Sequence, residues 1–230
     1  MHSGDPMETS LRQQFAFRSD DLGTGDAFAQ WQEEISATHD VILHKHQPFW
    51  MDCAFSRCGP LVISRGDYSG QTFVRNRGHI RRDHLDHCGV FVQATGTRVG
   101  IVRGQELPLP AYHLQYFDLA QDEISSTSGG LSASIYMPRD VMESVIPDFS
   151  RHHGAVRSDP AARLLAQHLM VMQRYVPQIP EEQLPSFIDS TLELVFNTLE
   201  HTPAPSIDTG AQQALLHRIQ QFIEVRVHDP

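Results

Sequence analysis

The sequence predicts an α+β protein, an antiparallel sandwich or small barrel followed by a pair of packed helices. Three observations carry this. From about residue 41 to 137, short apolar runs are cut at close intervals by Gly-bearing turns, the pattern of an antiparallel sheet. No long helical period interrupts them, which disfavours strands and helices alternating around a parallel sheet. After Pro138 the apolar spacing becomes helical, with two stripes wide enough to form a hairpin of helices.

The elements follow in order. Residues 1–14 read as a disordered leader. Ala27, Phe28, Trp31 and Ile35 recur at helical spacing and predict a short amphipathic helix over about 24–37. Strands are expected at 41–43, 61–64 and 72–74, with Arg65-Gly66-Asp67 ending the second. Val90, Val92 and Ala94 alternate with Phe91 and Gln93, Thr95-Gly96 turns the chain, and 97–103 returns as the next strand. Residues 112–119 form a further strand. Leu131, Ala133, Ile135 and Met137 then alternate with Ser132, Ser134 and Tyr136. A short helix is expected from Arg139. Ala161, Leu164, Leu165, His168, Leu169 and Met172 make the first long stripe; Leu184, Phe187, Ile188, Leu192, Val195 and Leu199 make the second.

Composition narrows the function. The formal charge of -10 gives this chain no electrostatic advantage on nucleic acid. No run approaches the roughly 20 apolar residues that span a bilayer, so no membrane is expected as a partner. Residues 1–10 lack a basic stretch and an apolar core, so no secretory signal is read and a cytoplasmic location is expected. Cys53, Cys58 and Cys88 are an odd set; one internal disulfide stays open, but reduced thiols fit the location better.

Several clusters could carry chemistry. His44-Lys45-His46 is an H-x-H, which on a strand puts two imidazoles on one face. A metal site also needs a carboxylate and a further His, and Gln47-Pro48-Phe49-Trp50 supplies neither. His79, His84 and His87 lie in a stretch that reads as a solvated loop. No metal site, cofactor or catalytic residue is therefore assigned. G-x-S-x-G, G-x-G-x-x-G and the P-loop are all absent. Arg75, Arg77, Arg81 and Arg82 form the densest basic stretch and read as a solvated hairpin flank. Cys88 opens an alternating strand and reads as a buried structural thiol.

The order of motifs resembles the sensor domain of AraC-type transcriptional regulators. Phe17-Arg18-Ser19-Asp20-Asp21-Leu22, followed by Phe28, Trp31 and Glu33, is similar to that family's opening string and helix, with Ala27 and Gln32 in place of its usual Arg. The strands from Val90 to Val102 around Gly96 look like its hairpin. Leu107-Pro108 to Asp118 resembles a strand pair of the family, although Ala111 and His113 depart from its Gly-Asp. Ser134 to Arg139 matches its strand ending in Pro-Arg, and Ala161 to Ala166 resembles its first linker helix. His217 to Glu224 is similar to the helix that begins its DNA-binding half.

The resemblance implies a cupin-like, jelly-roll-like barrel over 15–140 that senses a small-molecule effector. It implies a helical dimerisation subdomain over 141–202, a linker at 203–210, and the start of a helix-turn-helix domain over 211–230. DNA would be met only through the remainder of that domain. The expected ligand-lining residues are Phe73, Phe91, Gln93, Tyr112, Gln115 and Tyr136. Alternatively Val90, Val92 and Val102 point inward and fill the barrel, because a one-residue slip reverses every face. A homodimer is expected through Leu164, Leu165, Leu169, Met172, Phe187, Leu192 and Val195. The competing reading is a cupin-like metal-dependent enzyme using His44 and His46, with His79 or His113 as a further histidine.

Overall fold

The computed structural model describes residues 12–22, 26–45, 47–144 and 146–200. Its spine is two long antiparallel strands, β4 (Leu61–Arg75) and β9 (Glu123–Pro138), paired from end to end. Each is shared by two shorter neighbours. β3 (Met51–Cys58) pairs with the first half of β4 and β2 (Asp40–Leu43) with its second half. β5 (His87–Gln93) pairs with one half of β9 and β6 (Arg98–Val102) with the other. β8 (Leu114–Asp118) lies outside β5, and β7 (Gln105–Leu109) outside β6. β1 (Arg12–Arg18) and the two-residue β10 (Val156–Arg157) edge the first half. The result is one antiparallel sheet bent across its middle, so that its halves face each other. This is the α+β, jelly-roll-like architecture expected.

The corner has a sequence cause. Gly129 and Gly130 take φ of +94° and +110°, which side chains disfavour. A Cβ on Gly129 would lie 2.4 Å from the Tyr68 carbonyl oxygen, and one on Gly130 2.5 Å from that of Thr95. Both spine strands slip by one residue here. On β9 the pocket-facing residues change from Ser132, Ser134 and Tyr136 to Glu123 and Ser125. On β4 they change from Ser64, Gly66 and Tyr68 to Phe73. Because both strands change face together, their register is the same on either side of the corner, and the same face stays concave through the bend.

The outer face of the first half carries the main core. Leu61, Ile63, Val90, Val92, Leu114 and Ile135 are buried there beneath helices. α3 (Arg139–Glu143), α4 (Pro160–Tyr175) and α5 (Leu184–Leu199) supply Met142, Leu165, Leu169 and Val195 to that layer. Asp159 caps α4 by accepting from the Ala161 and Ala162 amides, with Pro160 at the first helical position. α4 and α5 run antiparallel: Arg157 donates to the Thr198 carbonyl (3.1 Å), and His168 meets Thr191 (2.9 Å) eleven residues further along the chain.

A second, smaller core lies on the concave face under α1 (Ala27–Ile35). Trp31 packs on Phe17, Met51 and Tyr68, and its Nε1 donates to Gln71 Oε1 at 3.2 Å. α1 thus closes one side of the fold.

Several expectations need correction. β1 takes in residues 12–14 of the predicted leader and pairs along β3, a distant partner that local sequence does not reveal. The expected strands at 61–64 and 72–74 are a single strand. Gly66 does not break it; a Cβ there would lie 2.8 Å from the Tyr68 ring, so the glycine makes room for that ring. Strands 87–93 and 98–102 are not paired as a hairpin; they follow one another along β9. The stretch read as a solvated hairpin flank is α2 (Arg77–Asp83), capped by Asn76 and His79. Arg75 before it is buried, donating to Leu119 O, Thr38 O and both oxygens of Asp83. A guanidinium is tolerated there because it is hydrogen-bonded and charge-paired.

Candidate ligand pocket

The two halves of the sheet and α1 line a cavity of about 130 Å³ that is open on one side. Its aromatic lining comes from α1 (Trp31), β3 (Phe55), β4 (Tyr68, Phe73), β5 (Phe91), β8 (Phe117) and β9 (Tyr136). One row of the sheet shows how the strands build its wall. Gln115, Phe91, Ser134, Ser64 and Phe55 are successive register partners across β8, β5, β9, β4 and β3. Ser64 Oγ and Ser134 Oγ are 2.5 Å apart, and both hydroxyls reach Tyr136. Burial, the largest influence, raises the Tyr136 pKa, so its phenol stays neutral.

The electrostatics of the wall are nearly balanced. Arg98 lies over the Phe91 ring (4.1 Å from its centroid), donates to Ser125 Oγ (2.7 Å) and faces Glu123 (3.5 Å). At the edge, Arg65 faces Asp52 at 3.7 Å. His39 lines the same space, edge-on to Phe73. Burial first, then Arg75 and Arg98, lower its pKa to about 3, so the imidazole is uncharged near neutrality.

Some buried polar atoms are left over. Gln115 is 1% exposed, and neither its Oε1 nor its Nε2 has a hydrogen-bond partner among the described residues. Arg98 Nε is buried in the same condition. Each such group costs about 1–3 kcal/mol of desolvation. Each such group calls for a partner that the described residues do not supply.

Four of the six residues expected to line a ligand site come together here: Phe73, Phe91, Gln115 and Tyr136. Gln93 lies on the same face of β5 but is buried beside the corner, donating to the Thr95 and Gly129 carbonyls. Tyr112 is not on a strand. It sits in the turn before β8 with φ +58° and is 37% exposed. Val90 and Val92 face the helices, so they do not fill the interior. Trp31, Arg98, Phe117 and the serines of β9 join the site without having been expected there. The alternation of Ser132, Ser134 and Tyr136 places three polar residues on one face and is the signal that could have found them.

The sequence matches no protein-family model and no curated protein. Similarity appears among solved structures. An AraC-like transcriptional activator, CuxR, superposes with a TM-score of 0.76 at 17% identity, over 94% of this chain and 80% of that one. The chain has the fold of an AraC-like activator. An RmlC-like cupin protein from Desulfovibrio desulfuricans also matches, at 10% identity over 60% of this chain and 96% of its own, with a TM-score of 0.27.

The histidines of the metal reading do not converge in this AraC-like fold. His44 Nε2 lies 3.0 Å from Thr72 Oγ1 and 3.2 Å from Ser126 Oγ; His46 is outside the described residues. His79 helps cap α2 and faces Asp40, and His113 is held by the Ala111 carbonyl. Among the described residues no three His, Cys, Asp or Glu side chains gather as metal ligands. The three cysteines are buried thiols without a disulfide. Cys53 and Cys58, five apart on β3, face opposite sides of the sheet and serve different cores. Burial raises the thiol pKa of Cys53 and of Cys88 to about 12.

The residues expected at a dimer seam divide. Leu165, Leu169, Met172 and Val195 are buried against the sheet, and Leu192 packs at the edge of that core. Leu164 and Phe187 are exposed, at 60% and 40%. Val171 and Tyr175 join Leu164 at spacings of seven and eleven residues, so α4 presents a second, outward apolar stripe. A helix buried on one face and apolar on the other reads from sequence as one wide stripe.

Proposed function

We propose that this chain is the effector-sensing and dimerisation part of an AraC-type transcriptional regulator, with DNA contact made outside the described residues. The observation that carries the reading is the aromatic and polar cavity between the sheet halves, in a chain with the fold of an AraC-like activator. A small molecule held there touches α1 and strands of both halves, so binding would favour one arrangement of α1 over another. The exposed stripe of Leu164, Val171 and Tyr175, with Phe187 on α5, is proposed as the seam with a second copy.

Thermal unfolding against a panel of small metabolites tests the sensing half. A true effector at a hundred times its Kd stabilises the fold by about 2.7 kcal/mol. Phe73→Trp, which fills the cavity, should abolish that gain. Stabilisation that survives Phe73→Trp would move the site elsewhere. A catalysed conversion of any panel member would contradict a regulatory, non-enzymatic role.

A further inference from the structure

The cavity wall carries enough chemistry to specify a class of ligand, provided the cavity has the sensing role proposed for it. Gln115 projects a carboxamide with a donor and an acceptor, both buried and both without a partner among the described residues. The space it occupies is kept open from β6. A Cβ on Gly100 would lie 3.0 Å from Gln115 Nε2, a tight contact that would shift the end of that side chain. Gly100 has no positive φ to explain it, which leaves room for the amide as its reason. Arg98, two residues away on the same strand, adds the buried and unpartnered Nε.

Beside Gln115 the charges are matched: Arg98 faces Glu123 and His39 is neutral, while Arg65, at the outer edge, shares Asp52 with Arg18. An anion would have to displace Glu123 from Arg98, and a cation would have to draw Glu123 away from Arg98. Size bears on the deep part of the site. An apolar cavity of about 150 Å³ holds a benzene ring, and the space here is about 130 Å³ and open on one side, so it seats one ring and leaves any further substituent directed outward. Phe91 and Phe117 flank Gln115 and offer aromatic surface to a flat molecule.

We infer that the cavity binds an uncharged, single-ring planar molecule that carries a donor and an acceptor side by side, such as a carboxamide or a lactam. Its amide-like edge pairs with the Gln115 carboxamide in two parallel hydrogen bonds, as glutamine pairs with the edge of adenine. Its ring lies among the aromatic side chains.

Titration calorimetry with four probes tests this: benzamide, 2-pyridone, benzoate and toluene. Benzamide and 2-pyridone should bind roughly tenfold or more tightly than toluene or benzoate, the effect of two net hydrogen bonds. Gln115→Met keeps the volume and should remove that preference while toluene binding persists. Gly100→Ala, a milder change, should weaken the amide probes and spare toluene. Equal binding of toluene and benzamide, or a preference that survives Gln115→Met, overturns the ligand class and leaves the pocket standing. Tighter binding of benzoate overturns the uncharged assignment. No saturable binding of any probe overturns both the class and the sensing role.

Discussion

The two faces of the first half-sheet are made by the same strands and have opposite characters. On the outer face Ile63, Val90, Val92, Leu114 and Ile135 pack against α4 and α5 as a dry layer. On the inner face the neighbours in sequence are Ser64, Phe91, Gln115, Ser134 and Tyr136, which leave a cavity and unpaired polar atoms. Strand periodicity alone separates the two sets. The outer face supplies stability, and the inner face gives some of it up, as the proposed sensing role requires.

Mutation can challenge this contrast on either face. The largest effect is expected from the outer layer: Leu165→Ala should cost about 2–5 kcal/mol in urea unfolding, because the helix cannot collapse into the space left. A loss below about 1 kcal/mol would mean that the helical layer is not the main core. Gln115→Met should have the opposite sign and raise stability by about 1 kcal/mol, since it removes an unsatisfied buried amide. If it destabilises, the amide is satisfied in solution and the inner face is a core like the outer one.

The outward side of α4 gives a third contrast. Val171→Glu should convert the proposed dimer to monomer in light scattering and change monomer stability by only about 0.5 kcal/mol. Leu165→Glu, on the buried side of the same helix, should prevent folding. A dimer that tolerates Val171→Glu would place the seam elsewhere.

A fourth contrast concerns pH dependence. His39 has its pKa lowered to about 3 in the fold, against about 6.5 unfolded. Between those values the unfolded chain binds the extra proton, so stability falls as pH drops from about 6.5 towards about 3. His152 and His168, whose pKa values burial also lowers, act in the same direction. His39→Phe should flatten the fall in Tm between about pH 6.5 and 4, and an unchanged slope would assign it to other groups.

Much of this architecture is legible in the sequence because it rests on alternation. The strand at 87–93, the second half of β9 from Leu131 and the stripe under α4 are written in periodicity, whereas the first half of β9, which reads as a Ser- and Gly-rich turn at 125–130, is strand only through its pairing with β4 and β6. What stays hidden depends on distant partners. Arg75 reads as a surface charge until Asp83, Thr38 and Leu119 close around it. Gly66 reads as a breaker until the Tyr68 ring arrives. Tyr112 reads as a strand residue because the left-handed turn that exposes it has no glycine to mark it. Leu164 and Leu165 are adjacent and equally apolar, and only the packed sheet decides which one is buried.

The most direct test of the inner face uses the chain's own reporter. Of its two tryptophans, Trp31 lines the cavity and Trp50 is exposed. Trp50→Phe leaves Trp31 as the only indole, and its emission can be followed during titration with benzamide. A binding cavity predicts a saturable change with one-to-one stoichiometry, lost when Phe73→Trp is added to Trp50→Phe and fills the space beside Trp31. An emission that falls only linearly with added probe, with no saturation, would show that the inner face is a closed core and not a binding site.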